Sequence, residues 1–186
     1  MVRTEIQIAG FGGQGIVMAG LILGEAAVLD GKNAVQTQSY GPESRGGAAR
    51  SDVIISDDEI DYPKVLKADI LVAMSQPALD RYVSGAAADT VVVIDRDLVG
   101  SEDKSHRRVP FTRIADDLGK KIVANSVMLG YLAAATGVLS RPALEQALRS
   151  NIPAGTEQIN LRALEEGWAQ GAAAADAQGV GESGSG

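Results

Sequence analysis

Cysteine is absent from the chain, so no disulfide and no thiolate-held zinc or iron–sulfur cluster can form within it; a reducing compartment is compatible with that. Histidine is nearly absent as well. The single His106 excludes a histidine-rich metal site, and its place in the charged segment 101–108 makes it a solvated loop residue by expectation. Excess positive charge is missing: a net charge of −7, with no basic stretch to offset it, argues against nucleic acid as a partner. Aromatic residues make up only 4%, whereas alanine and glycine are abundant, and such small side chains let helices and strands approach closely in a compact α/β fold. No signal peptide is expected, because the apolar run after Arg3 is short and leads straight into glycines. Residues 122–140 carry no charge, yet Asn125, Ser126, Thr136 and several glycines and alanines lower their hydropathy. They are read as a buried helix, covered on every side by the sheet or by another subunit, with no membrane span.

With 186 residues, 45% of them hydrophobic, the chain can bury one core. A single domain over residues 1–170 is expected, followed by a flexible or partner-ordered tail at 171–186. The organising feature is the run Gly10-Phe11-Gly12-Gly13-Gln14-Gly15. Ile6 and Ile8 precede it in strand alternation, and residues 16–28 follow with one charge, Glu25, which reads as strand, turn and helix. Glycines at these places allow a tight reversal, close approach of a ligand and close helix packing. The amides of Gly13, Gln14 and Gly15, at a helix N-terminus, suit an anion such as phosphate. No Gly-Lys-Ser/Thr follows, so this is not a Walker loop. A dinucleotide site would want an acid at the end of the second strand, about 20 residues on, and that strand ends in Gln38-Ser39-Tyr40. The turn alone serves a dinucleotide or helix packing equally well.

Residues 39–51 show neither helical nor strand periodicity, and a loop this long in a compact domain is functional or disordered. Tyr40 can stack, Glu43 can accept, Arg45 can fork onto phosphate or carboxylate, and Gly46-Gly47 admits a close ligand; otherwise Glu43 and Arg45 are solvated charges. Leaving the carboxyl end of the second strand, the loop should lie beside the glycine turn. Further strands are expected at 52–56, 70–74 and 91–94. Ser75 is expected to cap a helix with Pro77 in its first turn, and Asp95 either faces the ligand edge or caps the following turn. Residues 101–113 read as irregular, 111–118 as a short helix, 141–150 as another and 156–170 as the last.

The chain resembles the gamma subunit of the 2-oxoacid:acceptor (ferredoxin) oxidoreductases. The resemblance rests on the glycine turn, on Tyr40-Gly41-Pro42-Glu43-Ser44-Arg45-Gly46-Gly47 leading into Ser51-Asp52-Val53, and on Asn125 opening the helix with Leu129-Gly130. It implies a Rossmann-like three-layer α/β domain with a mostly parallel sheet, followed by C-terminal helices. It implies a subunit, inactive alone, of a cytoplasmic complex that oxidatively cleaves a 2-oxoacid to acyl-CoA and carbon dioxide. Thiamine diphosphate with Mg would then sit on alpha and beta subunits and [4Fe–4S] clusters on a cysteine-rich, ferredoxin-like delta subunit, with ferredoxin or NAD taking the electrons. On this chain it implies a coenzyme A site of Gly10, Gly12, Gly13, Gln14, Gly15, Tyr40, Glu43, Ser44, Arg45, Gly46 and Gly47, with no catalytic or metal-binding residue. A free-standing nucleotide-binding oxidoreductase and a purely structural subunit are the alternatives.

Overall fold

The computed structural model describes residues 3–40 and 48–182, and the side chains of all of these except Tyr40 and residues 178–182. Among the described residues six strands form one sheet: β1 (Arg3–Phe11), β2 (Asn33–Tyr40), β3 (Ala48–Ser56), β4 (Ile70–Ala73), β5 (Val91–Asp95) and β6 (Arg107–Val109), in the order β2-β3-β1-β4-β5-β6. The four strands β1, β4, β5 and β6 run parallel, as expected for runs such as Ile70–Ala73 that are buried on both faces. The other side departs from the doubly wound pattern. β3 lies between β1 and β2 and is antiparallel to both, with Ile6 opposite Val53 and Val35 opposite Ile54. The sheet is therefore mixed, because the connection from β2 to β3 is too short for a parallel crossover.

Five helices lie on one face of the sheet. α1 (Ile16–Leu29) follows the glycine turn and ends at Gly31, which takes the left-handed conformation (φ 76°) expected of it. α3 (Phe111–Asp117), α4 (Ala124–Thr136), α5 (Arg141–Asn151) and α6 (Glu157–Glu182) complete that layer around a core of Ile6, Ile8, Val53, Val72, Phe111, Met128 and Leu144. A smaller core on the opposite face, with Ala9, Leu71, Ile94 and Leu79, is covered by α2 (Gln76–Tyr82). The result is a three-layer α/β domain.

α4 is the uncharged helix, and its residues from Ala124 to Ala133 are all buried. Its own chain covers it. α6 lies so close that a Cβ on Gly130 would stand 2.1 Å from the Leu164 carbonyl oxygen, and one on Gly167 would stand 1.8 Å from that of Val127. This contact also explains why residues 171–182, expected as a flexible or partner-ordered tail, continue α6 as helix. Gly171 is buried against α4, and the alanines after it are strong helix formers. Among the described residues no helix is long and apolar enough to cross a membrane.

Three local expectations change. Residues 107–109, read as irregular, form β6, a three-residue edge strand too short to show a period. His106, expected in solvent, is buried at 9% exposure, with Nδ1 2.8 Å from Ser101 Oγ. Ser75 occupies the N-cap of α2 in extended conformation but makes no capping hydrogen bond with its side chain, and its buried Oγ has no partner among the described residues. Asp95 is a cap: one carboxylate oxygen accepts from Thr112 N–H (3.0 Å) and Thr112 Oγ1 (2.5 Å), and the other accepts from Asp97 N–H (3.1 Å). Burial pushes its carboxyl above the usual carboxylate range, against the pull of those hydrogen bonds.

Candidate functional site

The glycine turn lies at the carboxyl edge of the parallel strands, where open α/β sheets bind ligands. Gly13 and Gly15 take left-handed backbone conformations (φ 100° and 72°) that other residues rarely adopt. Gln14 locks the reversal: its Oε1 accepts from Phe11 N–H (2.7 Å) and its Nε2 donates to the Met74 carbonyl at the end of β4 (2.9 Å). The Gln14 N–H also turns inward, onto the Phe11 carbonyl (3.2 Å), so this amide is not open to an anion as the sequence suggested. Gly10 leaves room for this lock, since a Cβ there would stand 2.4 Å from Gln14 Oε1.

Beyond the turn, α1 starts with Gly15 at its N-cap and no side chain capping it. Its first amides are thus available to an anion, with the positive end of the helix behind them. They open onto a cleft of about 400 Å³. Gly12, Gly13, Gly15 and Ile16 form one wall of it, Ile122 and Asn125 before and at the start of α4 another, and Ile152, Pro153 and Ile159 around the α5–α6 connection a third. The lining is chiefly apolar. Lys120 stands exposed at the rim, with no carboxylate partner among the described residues.

A buried polar chain holds the second and third walls together. Ser126 Oγ donates to Asn160 Oδ1 (2.7 Å), Asn160 Nδ2 donates to the Thr156 carbonyl (2.9 Å), and Asn125 Oδ1 accepts from Ser126 N–H (2.9 Å). Both polar atoms of the Asn160 side chain are therefore engaged, whereas Asn125 Nδ2 faces Gly15 with no acceptor among the described residues.

Of the sequence-predicted site, Gly12, Gly13 and Gly15 line the cleft, while Gly10 and Gln14 shape the turn behind it. The register puts the backbone of Tyr40 at the same edge: Phe11 pairs with Ala48 and Tyr40 with Ala49, and Ala49 lines the cleft. Gly41, Pro42, Glu43, Ser44, Arg45, Gly46 and Gly47 lie outside the described residues. Lys120, Thr156, Ile159 and Asn160 were missed by sequence reasoning. The one available signal was the pair Asn125-Ser126, polar residues opening an otherwise apolar run.

The topology also bears on the missing ribose acid. The strand beside β1 on that side is antiparallel, so it presents its start, Ala48 and Ala49, at the ligand edge, where a dinucleotide fold presents a strand end bearing an acid. Among the described residues no group of three His, Asp or Glu could hold a metal ion.

The sequence profile of the family described as "Pyruvate ferredoxin/flavodoxin oxidoreductase" matches residues 5–170. The 2-oxoglutarate synthase subunit KorC of Methanocaldococcus jannaschii is 51% identical over 174 residues, covering 90% of this chain and 93% of the relative. The ketoisovalerate oxidoreductase subunit VorA of Methanothermobacter thermautotrophicus is 37% identical over 90% of this chain, but the match spans 37% of VorA. The crystal structure of the gamma subunit of a keto/oxoacid ferredoxin oxidoreductase from Geobacter sulfurreducens superposes with a TM-score of 0.83 at 41% identity, over 94% of this chain and 99% of that one.

Proposed function

Because the chain belongs to the pyruvate ferredoxin/flavodoxin oxidoreductase family, we propose that it is the gamma subunit of a multi-subunit, thiamine diphosphate-dependent complex that converts a 2-oxoacid and coenzyme A to acyl-CoA and carbon dioxide, and passes the electron pair to ferredoxin or NAD. The relative at 51% identity makes 2-oxoglutarate, and hence succinyl-CoA, the first substrate to test. Within the complex this subunit forms the coenzyme A side of the active-site cleft.

The observation that carries this reading is the uncapped N-terminus of α1 opening, through the glycine turn, onto an apolar cleft with Lys120 at its rim. Coenzyme A has both halves of that chemistry, phosphates for the helix amides and the cation, and a long, largely apolar arm for the cleft. Arg45 and Glu43, on the loop between β2 and β3, extend the polar side, Arg45 as a forked phosphate donor. This chain's role is to bind and orient the thiol substrate and to keep water from it. The bond-breaking groups are supplied elsewhere. With no cysteine for a cluster and no group of three metal-binding side chains among the described residues, the chain's donors do not fit [4Fe–4S] or Mg-thiamine diphosphate. Those belong to alpha, beta and delta partners.

Steady-state kinetics of the purified complex test the reading. Arg45→Ala should raise the KM for coenzyme A by about tenfold, the loss of one charge-assisted contact, and leave that for the oxoacid unchanged. Equal KM values for coenzyme A in the two complexes would leave the purely structural subunit as the answer.

A further inference from the structure

α1 is apolar on the side that its own chain leaves open. Between Ile16 and Leu29 the one charged residue is Glu25, and its carboxylate accepts from Asn151 Nδ2 at 2.5 Å, which ties it to α5. Outward stand Met18, Leu21 and Val28, exposed by 36%, 48% and 60%, at spacings that put them along one side of the helix, with Leu29 beside them and the half-buried Glu25, held by Asn151, between Leu21 and Val28. A surface helix of a self-sufficient domain carries polar residues there. Four exposed apolar side chains grouped around one carboxylate that is already engaged within the chain mark an interaction surface.

The strip starts at the cleft. Met18 lines it, and Phe11 and Ile122, exposed by 40% and 62%, stand in its lining too. Whatever covers α1 therefore also reaches the cleft mouth. The VorA relative indicates the kind of occupant. Its matched segment is only 37% of the chain, so the counterpart of this domain is covalently joined to a larger remainder of an oxidoreductase subunit. A second copy of this chain would satisfy the apolar strip but has no such link.

We propose that the Met18–Leu21–Val28 side of α1 is the docking face for a partner subunit of the oxidoreductase, the polypeptide whose counterpart is fused to this domain in relatives of the VorA kind. The inference rests on the subunit reading above and adds where the partner sits: along α1, with its edge closing the mouth of the cleft.

The test is anaerobic purification of the complex through a tag on this chain, comparing wild type, Leu21→Lys/Val28→Lys, and Leu66→Lys. Leu66 is equally apolar and 79% exposed, but it packs by its N–H onto Glu5, whose side chain points to the other face of the sheet. Wild type and Leu66→Lys should bring the partner in full, whereas the double variant recovers at least about tenfold less, since two ammonium groups would be buried with the single Glu25 carboxylate, already bonded to Asn151, between them. The isolated double variant should unfold at the wild-type temperature, because both side chains already meet water in the lone chain. Full recovery of the partner by the double variant overturns the proposal. So does an isolated wild-type chain that is a dimer which these substitutions make monomeric. A wild-type chain that recovers no partner at all instead removes the subunit reading on which the proposal stands.

Discussion

Gly15 and Asn125 meet where α1 and α4 begin: a Cβ at position 15 would stand 2.3 Å from Asn125 Nδ2, and the backbone there is left-handed at φ 72°. Gly15→Ala thus combines strain with a clash, and should cost about 2–4 kcal/mol. In denaturant titrations, adding Asn125→Ala should restore the steric part and leave the strain, about 1–2 kcal/mol. Full restoration would show that the conformation at position 15 costs nothing.

Gln14 can be tested separately from any ligand. Gln14→Ala removes the partners of Phe11 N–H and of the Met74 carbonyl together, and should destabilise the protein by about 1–3 kcal/mol. Gln14→Glu keeps the acceptor for Phe11 but sets a second oxygen against the Met74 carbonyl, so it should be no better than alanine above the carboxyl pKa. Urea unfolding at neutral pH decides this.

Two glycine-to-alanine substitutions should act in opposite directions. At Gly167 the new Cβ would lie 1.8 Å from the Val127 carbonyl oxygen, backbone against backbone, and α6 must shift off α4. A loss of at least about 3 kcal/mol is expected. At Gly24 in α1 the nearest atom, Gln36 Cβ, is 3.9 Å away, an ordinary contact, and alanine should add about 0.5–1 kcal/mol by its better helix propensity. Thermal unfolding of the two variants reads both signs.

Asp95 gives a pH dependence. Burial raises its carboxyl pKa in the folded chain, so between the ordinary value of 3.8 and the raised one the native state holds the proton that the unfolded state has lost. Its contribution therefore favours the fold below that window and is lost as pH rises through it, the reverse of a salt-bridged carboxylate. Asp95→Asn, although less stable for want of one acceptor oxygen at Thr112 or Asp97, should remove this contribution to the slope of stability against pH. An unchanged slope would place the titration elsewhere.

Lys120 was invisible as a site residue until the chain folded. Lys120→Ala in the complex should raise the KM for coenzyme A by up to about fivefold, the scale of one exposed charge contact, with kcat unchanged. A kcat effect without a KM effect would assign Lys120 a different role.

The sequence alone determined the elements that depend on neighbours in the chain. Gly10 to Gly15 announced a strand, a turn and a helix. Gly31 marked the end of α1, and Asn125 with Ser126 at the head of an uncharged run marked a buried helix, because backbone conformation and hydrophobic period are local properties. The tertiary structure decided what depends on residues far apart. It inserted β3 between β1 and β2, turned the Gln14 backbone N–H inward onto Phe11 and its side chain onto Met74, extended α6 past Gln170 through glycine contacts with α4, and closed the cleft with Ile152, Pro153 and Asn160. Those pairings are set by which apolar faces bury one another and which buried polar atoms find partners. No period or spacing along the chain records that choice.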